Sequence, residues 1–532
     1  MSDVFDYVVV GGGPSGCAVA ARLAEARPDL TVCLIERGPA KSGVLSDVPL
    51  GIAALTGRKS ERNYGYSTVP QRQLGGRRGF QPRGRGLGGS SLINGMIYIR
   101  GQAEDYEGWA SDHGCHGWGW SDVLPCFKAA ECNERGADDY HGGDGPLNVA
   151  DLRSPNPIAA AFVEAAVQAG YGRNADFNGA DQEGVGVYQV SQKAGSRFGA
   201  AKGYLGNKRT NLSVVTGAQA MGIVFEGRRA TGVRIDAEGQ ARTIHARGEV
   251  IVSGGAFGSP QLLMCSGIGP AAHLREHGIA VVQDSGEVGG NLQDHVDYTI
   301  NRRVDDQRLF GASPSIVPQI ASAWREYKRA GTGMLTTNVA ETGGFIRSSP
   351  DQPRPDVQLH FCTAIVDDHG RARHMFRGLS LHTCVLRPKS RGTVRLADVD
   401  MRTAPLIDPN YFDDPDDMAV MVRGVSAALR ILQSPAMQPY TGRPVHPPPE
   451  EPGEALIPRI RRHADTIYHP VGTCRMGADE RAVLDPQLRV RGVEGLRVVD
   501  ASIMPALVSG NTAAPSAMIG ERAAQLIRQA NR

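Results

Sequence analysis

The 532-residue chain lacks the features of several protein classes. None of its nine cysteines belongs to a C-x-x-C pair, which argues against a zinc ribbon and a dithiol redox motif. No stretch approaches the ~20 consecutive apolar residues that a membrane-spanning helix needs. The first residues carry acid where a secretory signal peptide carries base. We therefore expect no integral membrane segment, no metal site and a cytoplasmic location.

The charge is balanced, and this balance excludes another class. The chain has 58 Lys and Arg against 56 Asp and Glu, which leaves a formal charge of +2. A basic field of the kind that binds nucleic acid is missing, so we expect no nucleic-acid partner. What the chain has in excess is glycine, 67 of 532 residues, where about 7% is usual. This excess predicts many places where the backbone turns tightly or approaches another group closely.

The N-terminal segment has the pattern of a strand, a glycine turn and a helix. Apart from Asp6, residues 5–10 (FDYVVV) are β-branched or aromatic, and Gly11, Gly13 and Gly16 follow before an Ala-rich stretch. Such a turn lets backbone N–H groups and a helix N-terminus approach a pyrophosphate. A second strand ends in Glu36, twenty residues beyond the last of these glycines, where a carboxylate accepts ribose hydroxyls. The pattern predicts a dinucleotide site; an unrelated glycine-rich turn is the alternative.

FAD and NAD share this fingerprint, so the choice depends on the rest of the chain. Further glycine-rich or punctuated segments occupy residues 83–95, 254–260 and 496–515. A long flavin needs contacts at its pyrophosphate, ribityl chain and ring, which explains several separated loops better than nicotinamide does. Arg37 is a possible partner for a 2′-phosphate, but the adjacent Glu36 would repel that phosphate. FAD is therefore favoured over NAD and NADP.

The same segments carry a family resemblance. The chain resembles the glucose-methanol-choline (GMC) family of FAD-dependent alcohol oxidoreductases nearly from end to end, and is most similar to its choline-dehydrogenase-like and alcohol dehydrogenase branch. The segments that carry the resemblance are residues 11–16, 85–95 (RGLGGSSLING), 255–270 (GAFGSPQLLMCSGIGP), 289–295 (GGNLQDH), 468–477 (YHPVGTCRMG) and 495–520.

The resemblance implies an α/β (α+β overall) fold with two parts. A Rossmann-like FAD-binding domain is assembled from discontinuous segments, residues 1–300 and 455–532. Residues 301–454 form a substrate-binding cap domain built on an antiparallel sheet. Strand-like runs at residues 339–347, 356–361 and 393–396 are consistent with that sheet.

Alcohol oxidation by hydride transfer to flavin N5 requires a base within hydrogen-bond reach of the hydroxyl. Among fourteen histidines, His469 lies in a segment punctuated by Pro470 and Gly472, which predicts a shaped loop. The resemblance also implies the family's active-site histidine here, with Asn511 at the second position. We expect His469 to be the general base and Asn511 to orient the substrate oxygen. The structural alternatives are a loop histidine and a helix N-cap.

The resemblance further implies the residues that contact the cofactor. The position at which some relatives tether FAD covalently is occupied by Ile93, so we expect non-covalent FAD. The cofactor-binding candidates are Gly11, Gly13, Pro14, Ser15, Gly16, Glu36, Arg37, Arg85, Gly88, Ser90, Asn94, Gly95, Ile97, Ala220, Asp500, Ala501, Thr512 and Ala513.

The substrate candidates are Glu341 and His360 on cap strands, and Tyr468 beside the proposed base. Strand side chains alternate between the two faces of a sheet, so each of the two cap residues faces either the pocket or outward. The expected partners are a small-molecule alcohol and an electron acceptor, either oxygen or a quinone or other carrier. The alternatives are a flavin-bearing protein of this fold without net oxidation, a lyase or silent binder, and an NAD-dependent dehydrogenase. The alcohol, the acceptor and the oligomeric state stay open.

Overall fold

The computed structural model describes residues 3–311, 316–447 and 452–530. Two seven-stranded sheets organise the chain, and each has its own apolar core. Within these ranges, every helix is too short or too polar to span a lipid bilayer.

The first sheet has a parallel half and an antiparallel half. Its central strand, Val4–Val10, pairs in parallel with strands on both sides, and Val8 and Val9 are fully buried because helices or loops cover both faces. In spatial order its strands are Leu212–Thr216, Val32–Glu36, Val4–Val10, Gln240–Val252, Arg229–Ala237 and Ala218–Glu226, with Leu496–Val498 also pairing with Gln240–Val252.

The second sheet, called the cap sheet below, contains most of its strands from the segment predicted to form the cap, and in the strand pairs described it is antiparallel. In spatial order its strands are Arg443–Pro444, Val296–Arg303, Gly378–Val385, Val357–Cys362, Thr342–Ile346 and Gly184–Val187, with Asp465–Thr466 also pairing with Val296–Arg303. The expected boundary at residue 301 therefore falls inside a strand, and the sheet takes strands from both flanking segments. The strand-like run at 393–396 belongs to a separate ladder.

Short ladders and helices surround the two sheets. The two-stranded ladders are Tyr66–Ser67 with Phe80–Gln81, Glu131–Asn133 with Leu147–Val149, Gln192–Lys193 with Ser196–Arg197, Ile268–Gly269 with Gln283–Asp284, and Thr393–Arg395 with Leu406–Asp408. The α-helices are Pro14–Ala26, Val44–Asp47, Ile52–Leu55, Ala103–Ser111, Trp120–Ala130, Pro157–Gln168, Ala200–Tyr204, Gly255–Cys265, Ala271–Glu276, Ile316–Ala330, Pro415–Gln433, Ile457–His463 and Ala513–Ala530.

The last helix packs on the first, and this contact joins the C-terminal segment to the glycine turn. A Cβ at Gly520 would lie 2.5 Å from the Ser15 carbonyl oxygen, so only glycine permits this approach. The Ser15 hydroxyl also donates a 2.6 Å hydrogen bond to the Ser516 carbonyl. The start of the helix Ala513–Ala530 is thereby held beside the start of the helix Pro14–Ala26.

Candidate active site

A cavity of about 670 Å³ is lined by residues of both sheets and of the loops between them. The glycine turn lies at one part of its wall, and His469 and Asn511 lie at another. Its size is that of a site for a small molecule or cofactor.

The glycine turn adopts the predicted geometry. Gly11 has φ +111°, and a Cβ there would lie 2.2 Å from the Ser253 carbonyl oxygen. Gly16 packs directly on Gly11, because a Cβ at Gly16 would lie 1.9 Å from the Gly11 carbonyl oxygen. Gly13 begins the helix Pro14–Ala26, and no described side chain caps this helix start. The open N–H groups and the helix dipole make the turn suitable for an anionic pyrophosphate.

Glu36 lies in the cavity wall with its carboxylate held by the backbone. It accepts hydrogen bonds from the N–H groups of Gly12 (2.9 Å), Gly38 (2.7 Å) and Gly86 (3.1 Å). Burial raises the pKa of this carboxyl group despite those donors. A carboxylate has about four acceptor positions, so at least one stays open for a ribose hydroxyl.

Beside three glycines of the wall, the cavity has open space that no protein atom fills. Gly13, Gly95 and Gly258 line it, and a Cβ at any of them would meet no protein atom within 4 Å. Asp500 lies nearby in the wall and accepts hydrogen bonds from the N–H groups of Gly255 (2.9 Å) and Ser502 (2.7 Å). Open backbone, an uncapped helix start and a positioned carboxylate fit a dinucleotide such as FAD.

His469 is held in the wall by two residues of the GGNLQDH segment. Its backbone N–H donates to the Asp294 carboxylate at 2.9 Å. Its Nδ1 lies 2.9 Å from Nδ1 of His295, with the two rings nearly perpendicular at 89°. The preceding Tyr468 has φ +78°, a strained conformation for a non-glycine residue that turns the chain before His469.

The other ring nitrogen of His469 faces Asn511. The two residues approach at 3.2 Å between His469 Nε2 and Asn511 Nδ2. The Asn511 amide oxygen accepts a 3.0 Å hydrogen bond from Nε2 of Gln358, a residue of the cap strand Val357–Cys362. Asn511 thus connects the base candidate with the cap sheet, and its side chain is engaged with these two residues.

The surroundings of His469 hold its imidazole neutral. Burial is the main cause, and the nearby His295, His360 and Arg83 side chains add to it, so that the pKa of His469 lies well below its usual value. A neutral imidazole has one nitrogen with a lone pair, which is what a proton acceptor needs.

A second histidine pair, on neighbouring cap strands, lines the cavity with both of its members. His360 lies directly opposite His382 in the strand register. Nδ1 of His382 lies 2.6 Å from the Asp297 carboxylate. Although burial opposes it, this carboxylate raises the pKa of His382 to about 10. Burial, together with His382, lowers the pKa of His360 to about 3.

His360 presents its ring to the cavity. Both ring nitrogens are buried and make no hydrogen bond of normal length to a described residue, although the Asn511 side chain is close enough to interact. Tyr468, by contrast, is engaged: its hydroxyl lies 2.8 Å from Nδ1 of His369, and Nη2 of Arg83 donates to its carbonyl oxygen at 2.7 Å.

Most predicted site residues line the cavity. The cofactor candidates that do so are Gly11, Gly13, Pro14, Ser15, Glu36, Arg37, Ser90, Asn94, Gly95, Ile97, Ala220, Asp500, Ala501, Thr512 and Ala513, and the substrate and catalytic candidates that do so are His360, Tyr468, His469 and Asn511.

Four predicted residues lie outside the wall. Gly16 and Gly88 support the glycine turn from behind, since the Gly88 N–H donates to the Gly12 carbonyl at 2.7 Å. The guanidinium of Arg85 lies over the Tyr64 ring, 5.9 Å from its centroid. Their effect on the cavity is therefore indirect.

Glu341 is the fourth, and the expectation that it faces the pocket needs correction. It precedes the strand Thr342–Ile346, and its carboxylate accepts hydrogen bonds from the Asn156 N–H at 2.6 Å and the Thr337 hydroxyl at 2.5 Å. These partners turn the side chain away from the cavity. The aromatic side chains of Trp324 and Phe345 do not line the cavity either.

Three residues of the site were missed from the sequence: His295, Gln358 and His382. His295 ends the GGNLQDH segment, so a signal existed, but its partner lies 174 positions further along the chain. Gln358 and His382 are ordinary strand residues whose direction only the sheet register determines.

The Rossmann-like sheet, the open glycine turn and the neutral histidine beside the cavity define the class of a flavin-dependent oxidoreductase. The GMC oxidoreductase family profiles match residues 5–297 and 388–520. The chain belongs to this family.

Relatives and solved structures agree over nearly the whole chain. An alcohol dehydrogenase (acceptor) of Pseudomonas putida is 46% identical over 531 residues, 98% of this chain and 96% of that protein. An oxygen-dependent choline dehydrogenase of Burkholderia multivorans is 41% identical over 536 residues, 98% of this chain and 93% of that protein. The structure of pyridoxine 4-oxidase from Mesorbium loti has a TM-score of 0.88 at 30% identity and covers 99% of both chains.

These similarities confirm the predicted family, fold class and cofactor: the protein is an FAD-dependent alcohol oxidoreductase. The alternative of a fold member without net oxidation is not favoured. Among the residues described here, no group of three or more His, Cys, Asp or Glu side chains is arranged to hold a metal ion.

Proposed function

We propose that His469 is the general base of alcohol oxidation and that Asn511 orients the substrate oxygen. The observation that carries this proposal is the neutral His469 imidazole beside the Asn511 amide in the cavity wall. The substrate hydroxyl replaces the 3.2 Å contact between Asn511 Nδ2 and His469 Nε2: His469 takes the hydroxyl proton at Nε2, and the Asn511 amide N–H donates to the same oxygen. FAD, when bound, supplies the acceptor for the hydride that leaves the substrate carbon.

The start of the helix Ala513–Ala530 supports this arrangement. Thr512 and Ala513 line the cavity next to Asn511, so the positive end of the helix dipole faces it. A positive helix end stabilises negative charge placed before it. The Thr512 and Ala513 N–H groups are the donors we assign to this task.

The substrate we propose is a neutral alcohol rather than a cationic one such as choline. Of the acidic residues described, only Glu36 and Asp500 line the cavity, and backbone N–H groups engage both. The wall near His469 instead contains the protonated His382, whose carboxylate partner is already used. A cationic alcohol would find no free counter-charge there. Apolar side chains line other parts of the cavity, among them Phe310, Ile365, Val366 and Phe376.

Three further proposals accompany this function. FAD is bound non-covalently, because Ile93 occupies the tethering position of some relatives; flavin that stays with the polypeptide after acid precipitation would contradict this. The electron acceptor is oxygen or a quinone or other carrier. The protein is cytoplasmic.

The test is anaerobic mixing of the holoenzyme with a panel of neutral aliphatic, aromatic and cationic alcohols. We expect bleaching of the oxidised flavin band with neutral alcohols and much slower bleaching with choline. No bleaching with any class would refute alcohol oxidation, and faster bleaching with choline would refute the proposed charge preference. The same panel in air, with peroxide measured, distinguishes oxygen from another acceptor.

A further inference from the structure

The histidine behind His469 lies deep in the protein. His295 is fully buried, its two ring nitrogens lie at hydrogen-bond distance from two different residues, and the Val508 backbone carbonyl also interacts with the ring. Nδ1 faces Nδ1 of His469 at 2.9 Å, and Nε2 faces the Leu386 carbonyl oxygen at 2.9 Å. Because a carbonyl oxygen can only accept, Nε2 of His295 carries a hydrogen.

The hydrogen on Nε2 of His295, together with the neutral state of both imidazoles, determines where the hydrogens of His295 and His469 lie. Burial lowers the pKa of His295 to about 4, so near neutral pH the ring holds one hydrogen, and that hydrogen is on Nε2. Its Nδ1 is then an acceptor, and the facing Nδ1 of His469 must be the donor. Since His469 is neutral as well, its Nε2 has the lone pair.

A second chain of hydrogen bonds begins at the Leu359 carbonyl and reaches His469 through Asn511. It predicts the same tautomer of His469. The Tyr188 hydroxyl donates to the Leu359 carbonyl at 2.7 Å, so its oxygen is left to accept from Nε2 of Gln358 at 3.4 Å. With its amide nitrogen fixed there, Gln358 also donates to Oδ1 of Asn511.

That bond orients the Asn511 amide, so Nδ2 of Asn511 faces His469 as a donor. A donor at this place requires a lone pair on Nε2 of His469. The main-chain carbonyls of Leu386 and Leu359 lie at the two ends of this network. Both predict the same tautomer of His469, with a hydrogen on Nδ1 and a lone pair on Nε2.

We propose that His295 is a positioning residue that locks His469 in the tautomer with a hydrogen on Nδ1 and a lone pair on Nε2. This inference rests on the proposed function, in which Nε2 is the proton acceptor. When the substrate O–H bond breaks and the Nε2–H bond forms, the Nδ1–H bond to His295 persists. His295 cannot pass the proton on, because its own Nε2–H ends at the Leu386 carbonyl. The proton must leave His469 on the cavity side.

The direct test is ¹⁵N NMR of the holoenzyme labelled with ¹⁵N-histidine, with the His469 signals identified by their loss in His469→Gln. We expect the protonated nitrogen of His469 to be Nδ1. A hydrogen on Nε2, or a near-equal mixture of tautomers, would overturn the proposal. This readout does not depend on turnover, so it stands even where alcohol oxidation itself is refuted by the substrate panel.

The kinetic test compares two substitutions of His295. His295→Leu removes the acceptor, and we expect reduction of the bound flavin at saturating alcohol to slow by roughly 10- to 100-fold with KM changed little. In His295→Asn a side-chain oxygen can accept from Nδ1 of His469, so part of the rate should return. The exposed His245→Leu is the matched control and should keep the full rate.

A His295→Leu enzyme that keeps its flavin and the full reduction rate would overturn the proposal. If His295→Leu does not fold, as shown by loss of flavin and a low Tm, the proposal is decided by the tautomer of the wild-type protein. A folded His295→Leu and His295→Asn can also be compared with each other. If His469 had the same tautomer populations and the flavin the same reduction rate in both variants, this would also count against the proposal.

Discussion

Two histidine pairs lie at one cavity, with His360, His382 and His469 in its wall and His295 behind His469, and the two pairs differ in charge. His295 and His469 lie on loops and end on a main-chain carbonyl, and burial keeps both neutral. His360 and His382 lie on neighbouring strands, and Asp297 keeps one of them protonated. The difference teaches that the partner behind the pair, carbonyl or carboxylate, decides whether buried imidazoles act as a base or as fixed charge.

In the loop pair, His295 and His469, the lone pair on Nε2 of His469 faces the cavity, so this pair can take part in the reaction. The strand pair, His360 and His382, instead determines the charge of the cavity wall. Positively charged His382 lies beside a neutral His360, so the wall offers no attraction to a cationic substrate. The comparison predicts that damage to the loop pair affects the rate most, and damage to the strand pair affects stability and selectivity.

The largest effect is expected from His469→Ala. The variant should retain bound flavin, yet alcohol should reduce this flavin at least ~100-fold more slowly, because general-base contributions are typically 10²–10⁴-fold. Stopped-flow absorbance at saturating alcohol measures the rate, and the flavin-to-protein ratio is the control. Near-normal reduction by a flavin-loaded variant would remove the base role from His469.

A smaller effect is expected from Asn511→Ala, because His469 can still take the proton without the orienting amide. Loss of one hydrogen bond to the substrate oxygen should slow flavin reduction by roughly tenfold. The same stopped-flow measurement applies, and Asn511→Asp tests whether a side chain of equal size without an amide donor is enough. Full activity of Asn511→Ala would limit this residue to a structural role.

The smallest effect is expected from His382→Gln, and it appears in stability rather than rate. The folded-state pKa of His382, about 10, lies above the unfolded value of 6.5, so its stabilisation is fully present below about pH 6.5. That stabilisation is lost as the pH rises towards about 10. The difference in urea midpoint between wild type and variant should therefore shrink over this range. A difference that stays constant would contradict a protonated His382.

How much the sequence could predict follows from how local each feature is. The glycine turn, Glu36 and the His469 segment are short-range patterns, and each lies in the cavity wall. They could be recognised because a strand, a turn and a helix leave their marks within a few dozen residues.

The features that failed depend on register or on distant partners. Glu341 was expected in the pocket, but the strand begins one residue later and Asn156 takes its carboxylate. The pairing of His295 with His469 joins loops 174 positions apart, and no spacing rule reports such a contact. His382 faces the cavity only because its strand is paired with that of His360 in one particular register.

The most direct test of the account is an experimental structure of the holoenzyme with a non-reactive alcohol analogue bound. We expect the analogue's hydroxyl oxygen within about 2.6–3.2 Å of both Nε2 of His469 and Nδ2 of Asn511. A hydroxyl oxygen more than about 4 Å from Nε2 of His469, or held instead by His360 alone, would contradict it.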